Sequence, residues 1–115
     1  MVRAVVTGMG CVTPIGHSVG EFWSNLTAGV SGVKRITLFD PSDQDCQIAA
    51  EVKDWDATRF MEPKAAKRAA RFSQFAVASA RQALEDSGLT ISDTNRDDIA
   101  MSQTSSGTVS SRELR

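Results

Sequence analysis

The apolar positions fall into short blocks of two periodicities. Residues 2–7 are rich in β-branched side chains and predict a buried strand, and Gly8, Gly10, Pro14 and Gly16 punctuate a turn after it. Ser18 and Glu21 stand in S-x-x-E spacing, in which each side chain can satisfy a free backbone N–H at a helix start. Phe22, Trp23 and Leu26 give that short helix an apolar side, and Gly29 is placed to stop it. Residues 30–46 mix polarity and predict an ordered surface connection, and residues 47–52 predict a second short strand.

Pro63 suits the first turn of a helix, where its missing N–H has no helical partner. From Lys64 the chain is alanine-rich and predicts one helix running to Gly88. Phe72, Phe75, Ala76, Ser79, Ala80 and Ala83 recur at steps of three and one, so they share a face of that helix. Such a stripe of small residues needs a partner surface lying close against it. Residues 99–101 offer the start of a further strand, and the run from Ser102 is polar and predicts a frayed or disordered tail. Two clear strands are few for a self-contained α/β domain, because a parallel sheet must be completed by further strands and covered on both faces.

Composition narrows the classes. A chain of 115 residues with 41% hydrophobic residues has the length and apolar content of one globular domain. No apolar run approaches the ~20 residues that span a bilayer, so no membrane partner is expected and the cytoplasm is the expected location. Thirteen basic and fourteen acidic side chains nearly cancel, which argues against general nucleic-acid binding. Two cysteines, Cys11 and Cys46, have no C-x-x-C spacing, and a single histidine, His17, leaves too few ligands for a Cys/His metal site.

Each candidate chemistry has a plainer alternative. Gly8 and Gly10 follow a strand pattern as a dinucleotide-binding turn would, but Thr13 stands where the third glycine belongs and Pro14 where the phosphate-facing helix starts. A tight turn is the better reading, and no cofactor is expected. Cys11 lacks a convincing local base, so it reads as a half-buried thiol, Cys46 as a surface thiol and His17 as a loop residue. Asp40, Asp43, Asp45, Asp54 and Asp56 do not follow the order of a calcium loop and read as solvated turn acids.

Lys64, Lys67, Arg68 and Arg71 remain. On one continuous helix their spacing puts four cations on one face, where like charges at i,i+4 each cost about 0.2–0.5 kcal/mol. An acidic partner would offset that repulsion, and a solvated face with loosely paired neighbours such as Glu62 accounts for it equally well.

The segment VVTGMGCVTPIG at residues 5–16 resembles the VVTGxGxVTPxG block of beta-ketoacyl-acyl-carrier-protein synthases. HSVGEFWSNLTAGVSGV, the pair Phe39 and Asp40, EVKDWD at 51–56 and PKAAKRAARFSQFAVASARQALEDSGL follow in that family's order. The resemblance runs from Val2 to about Ile99 and is nearest to the long-chain class. It implies the N-terminal part of a thiolase-like α/β fold, layered αβαβα and incomplete here, with residues 1–101 a partial ketosynthase domain and 102–115 a divergent polar tail. It also implies a homodimer that elongates fatty acyl chains by decarboxylative condensation with malonyl-loaded acyl carrier protein.

In that family a segment similar to K-x-x-[RK]-[RK]-x-x-R-F contacts the acidic carrier protein. The resemblance therefore implies a carrier-protein-binding role for Lys64, Lys67 and Arg68. The nucleophilic cysteine of the family lies in a T-A-C-[SA] motif that this sequence lacks, and its two catalytic histidines have no counterpart here. No catalytic residue is assigned, and the isolated chain is expected to be inactive. IAMSQTSSGTVSS replaces an apolar strand and a glycine-rich stretch similar to G-S-G-I-G-G, a change of the kind a frameshift or gene fragment produces. A polyketide-type ketosynthase or chain-length subunit, and a non-catalytic carrier-binding fragment, are the alternatives.

Overall fold

The computed structural model describes residues 2–102, so most of the run expected to fray lies outside the described residues. Two compact units form, one joining residues 2–11 to the stretch from Asp56 onward and the other comprising Val12–Trp55.

The first unit is organised by a helix where the sequence predicts one, but that helix is broken. Pro63–Arg68 forms α2 and Arg71–Ser87 forms α3, with Ala69 and Ala70 extended between them at ψ 136° and 153°. The core is thin. Ala57, Ala66, Ala76, Val77, Ala78 and Ala80 are its buried apolar members, Ala57 from a single 3₁₀ turn at Ala57–Arg59. Ala76 and Ala80 belong to the predicted stripe, while Phe75, Ser79 and Ala83 are half-buried and Phe72 is exposed. Val77 and Ala78 are buried on another side of α3, so the helix is covered more widely than one stripe.

Residues 8–11 supply part of that cover. A Cβ on Gly10 would stand 2.6 Å from the Gln82 Cβ, and one on Gly8 would stand 2.7 Å from the Ser87 backbone nitrogen. The two glycines therefore allow the backbone to lie directly on α3. Met9 N–H donates to Asp86 Oδ2 at 3.0 Å and Cys11 N–H to Gln82 Oε1 at 3.2 Å. Gly88 at φ 67° then ends α3 in the left-handed conformation that glycine adopts without a Cβ penalty.

The strand expected at residues 2–7 does not form. Val2, Val5 and Val6 are exposed by 99, 72 and 82%, and no ladder includes them among the described residues. A β-branched run becomes a strand only when neighbouring strands take its N–H and C=O groups and cover its side chains. Residues 99–101 form no strand either.

In the second unit, α1 spans Val19–Thr27 as expected, with Ser18 Oγ accepting the Glu21 N–H at 3.2 Å. Gly29 at φ 74° donates to the Leu26 carbonyl at 3.1 Å and Val30 to that of Asn25 at 2.9 Å, a paired closure of the last turn. Trp23 and Leu26 are nevertheless exposed by 62 and 48%. Ahead of α1, Thr13 and Gly16 exchange backbone hydrogen bonds of 2.8 and 3.2 Å around Pro14, and Asn25 Nδ2 donates to the Ile15 carbonyl at 2.6 Å.

A two-stranded antiparallel sheet follows, β1 at Val33–Arg35 and β2 at Ile48–Ala50, with Val33 opposite Ala50 and Arg35 opposite Ile48. The second strand falls within the expected range. The first lies in the stretch read as a connection, where polar Lys34 and Arg35 hide the strand pattern.

Glu51 fastens the connection. Its carboxylate, with side-chain exposure of 7%, accepts the Thr37 and Leu38 N–H groups at 3.1 Å each, the Thr37 hydroxyl at 2.8 Å and Lys53 Nζ at 2.7 Å. The Lys53 ammonium first, and then the backbone and hydroxyl donors, hold the Glu51 carboxyl at about 2, below the ordinary 4.5. A carboxylate with a depressed folded pKa adds stability that is complete above about pH 4.5 and lost as pH falls through about 2. The Thr37 and Leu38 amide proton shifts should therefore titrate together with a midpoint near 2, and a shared midpoint above 4 would refute the clasp.

Burial also sets the stability of the chain by itself. Among the described residues the buried apolar core is five alanines and one valine, while Trp23, Leu38, Phe39, Val5 and Val6 lie more than half exposed. At about 0.8 kcal/mol per buried CH₂, such a core contributes little against the entropy of ordering the chain. Thermal unfolding followed by circular dichroism should be broad and weakly cooperative. A sharp two-state transition of a soluble monomer would contradict this.

Candidate functional site

Six residues of α2 carry three of the four cations that the sequence singles out. Pro63 starts the helix where its lost N–H costs nothing, and Ala66 is the buried position that seats it. Lys64, Lys67 and Arg68 are all exposed, at the i, i+3 and i+4 positions that bring side chains to one face. Among the described residues the ion pairs are Lys53 with Glu51, and Arg96 with Asp93 and Asp97. None involves Lys64, Lys67 or Arg68, and the Glu62 pairing weighed from sequence is not among them.

Lys67 and Arg68 occupy the last turn of α2, where cations also suit the negative end of the helix dipole. Their like-charge repulsion is thereby partly offset within the chain. The face still presents three adjacent donors to solvent.

Arg71 does not belong to that face. The break at Ala69 and Ala70 makes it the first residue of α3, and its guanidinium carbon sits 5.4 Å from the centroid of the Phe75 ring. A planar cation over an aromatic face gains about 0.5–1 kcal/mol at an exposed site, which ties Arg71 to α3. The stripe of four cations on one continuous helix is corrected to a trio on α2 and a separate Arg71.

The other sequence candidates lie apart from this trio. Cys11 is half-buried, and burial pushes its thiol above the ordinary range. His17 packs edge-on against Trp55, ring centroids 5.6 Å apart and planes at 82°. Cys46 is exposed and its Sγ–H points to the Ile48 carbonyl at 3.5 Å. Asp40 and Asp56 are turn-forming acids. Each has its carboxyl lowered chiefly by a hydroxyl, that of Ser42 and Thr58 respectively. No group of three or more His, Cys, Asp or Glu side chains placed to hold a metal ion occurs among the described residues.

Sequence reasoning missed Gln74, whose side chain lies across the break. Its Nε2 donates to the Ala66 carbonyl at 2.9 Å and to the Ala69 carbonyl at 3.4 Å. Nothing in a run of helix-favouring residues without glycine or proline signals that junction.

The comparisons agree with this architecture. The family model described as "Beta-ketoacyl synthase, N-terminal domain" matches residues 1–114. The chain belongs to the beta-ketoacyl synthase family. It is 48% identical over 99 residues to a 3-oxoacyl-[acyl-carrier-protein] synthase 2 of Synechocystis sp., covering 86% of this chain and 24% of that protein. It is 52% identical over 93 residues to the synthase 2 of Coxiella burnetii, covering 81% and 22%. Among solved structures, the ishigamide ketosynthase/chain length factor superposes with a TM-score of 0.68 at 40% identity, covering 75% of this chain and 21% of that one. The fold class is the thiolase-like α/β fold of ketosynthases. The chain spans about a quarter of the length of the curated relatives it matches.

Proposed function

We propose that the chain is the N-terminal part of a beta-ketoacyl-acyl-carrier-protein synthase of fatty acid elongation, and that Lys64, Lys67 and Arg68 on α2 form its docking face for the acidic acyl carrier protein. The observation that carries the docking assignment is the exposed cationic trio on α2, outside every ion pair among the described residues. The repulsion left within the trio is relieved when carboxylates of a partner approach.

Catalysis belongs to the complete synthase. There a cysteine takes the acyl group from the carrier protein as a thioester, and malonyl-loaded carrier protein loses CO₂ to give the carbon nucleophile that attacks it. This chain contributes the docking helix and the N-terminal segment, whose bare valines await neighbouring strands. The working form is a homodimer in the cytoplasm. The division at residue 101, with a divergent polar run after it, is part of the same proposal. Reading the encoding DNA in the other frames past codon 99 tests that division, and finding no ketosynthase-like continuation in any frame argues against a frameshift.

A polyketide-type ketosynthase or chain-length subunit is the second reading, favoured by the ketosynthase/chain length factor at 40% identity. The 48 and 52% identities to the synthase 2 sequences support the fatty acid reading over it. Titrating acyl carrier protein against the chain by calorimetry tests the docking role. Salt-sensitive association is expected, and no association at low salt would refute it.

A further inference from the structure

We propose that the side-chain amide of Gln74 ends α2 and sets the direction in which Lys64, Lys67 and Arg68 face, which makes Gln74 a positioning residue of the docking face. Its consequence for docking rests on the function proposed above, but its effect on the backbone does not.

The break itself calls for a cause. Lys64 to Phe72 reads KAAKRAARF, eight lysine, arginine and alanine helix formers in a row before Phe72 and no glycine or proline among them. One continuous helix is the local preference, yet Ala69 and Ala70 are extended. At the junction Ala70 makes no side-chain capping bond for the start of α3, and α2 closes only on the backbone bond from the Ala69 N–H to the Ala65 carbonyl at 3.0 Å. A helix end leaves carbonyls without intrahelical donors. Gln74 supplies donors to two of them, Ala66 O at 2.9 Å and Ala69 O at 3.4 Å, from the two protons of one amide. Its own main-chain N–H meanwhile donates to the Ala70 carbonyl at 3.0 Å and closes the first turn of α3.

These bonds discriminate between the two backbone arrangements. In a straight helix eight residues rise about 12 Å, which puts the Ala66 carbonyl beyond the reach of the Gln74 amide. The bond to Ala66 therefore exists only in the broken form, and a contact made in one state alone is what shifts an equilibrium between two. Without it, the intrinsic preference of the run draws α2 and α3 toward one helix. The three cations would then share a helix with Arg71 and point in another direction. The Arg71 contact with Phe75 lies wholly within α3 and is available to both forms.

The test uses the full 115-residue chain and reads the ¹³Cα shifts of Ala69 and Ala70, which separate extended from helical backbone. Gln74→Ala removes the donor, and Gln74→Glu keeps the shape while offering a carboxylate that only accepts. Both should move the two shifts toward helical values. Gln74→Lys keeps an N–H donor within reach and should retain extended shifts. Unchanged shifts in the Ala and Glu variants would overturn the proposal, and so would helical shifts in the Lys variant.

Docking is read separately. Gln74→Ala, with every cation intact, should weaken carrier-protein binding in proportion to the fraction of chain that turns helical, up to about fivefold, the bias that one hydrogen bond supplies between the two arrangements. Helical shifts with unchanged affinity would overturn the positioning role if reversing Lys64, Lys67 and Arg68 does weaken binding. If that reversal has no effect, docking itself has failed and the shifts alone decide the role of Gln74 in the break.

Discussion

Mixed with acyl- and malonyl-loaded acyl carrier protein, the 115-residue chain should form no ketoacyl product above a buffer control. The condensation needs a thiolate to take the acyl group and donors to stabilise the charge that develops on the thioester oxygen. Of the two thiols, Cys11 is half-buried and burial raises its pKa, which lowers its thiolate fraction at neutral pH. Cys46 is exposed, with its Sγ–H on a backbone carbonyl. The single histidine has its ring on Trp55, and the family's chemistry uses two. Measuring product by mass spectrometry with wild type and Cys11→Ala decides the point. Turnover abolished by Cys11→Ala would make Cys11 the nucleophile and overturn the proposal that catalysis resides elsewhere in the synthase.

The elements that were legible in the sequence are those whose stabilising contacts are local. Ser18 with Glu21 marks the start of α1, Pro63 the start of α2, and Gly88 the end of α3, because caps act on backbone groups a few residues away. Gly8 and Gly10 were legible as glycines that matter, but their reason is the close approach of α3, a contact across more than seventy residues. Residues 2–7 read as a buried strand because their composition is that of one. The structure leaves them bare, since composition states what a segment needs and not whether partner strands stand beside it.

The site divides the same way. Lys64, Lys67 and Arg68 were visible from charge and spacing, and the structure keeps them together on α2. The separation of Arg71 was not visible, because the break that produces it depends on an amide side chain that looks like any helix-surface glutamine. The Glu51 clasp was hidden for a similar reason, as its donors at Thr37 and Leu38 lie in a connection with no motif.

Reversing the trio, Lys64→Glu with Lys67→Glu and Arg68→Glu, should weaken carrier-protein binding by about 1–6 kcal/mol, roughly fivefold at the low end and ten-thousandfold at the high end. Each exposed pair is worth about 0.2–1 kcal/mol, and reversal replaces attraction with repulsion of similar size. The positions are exposed, so the substitutions disturb no buried contact, and circular dichroism of the variant shows whether α2 survives acids in its last turn. Salt dependence distinguishes docking from incidental damage. Charges at a rim act over a Debye length of about 8–10 Å and chiefly speed association, so the wild type should lose affinity and on-rate as salt rises. The reversed variant should be much less sensitive to salt, and its deficit should lie in the on-rate. Arg71→Glu should have a smaller effect than any member of the trio, because Arg71 lies on α3 with its guanidinium held against Phe75 of the same helix. Stopped-flow titration at two salt concentrations measures all of this. Equal affinities at low salt for wild type and the triple reversal would mean that the three cations are a solvated face with no carrier-protein partner.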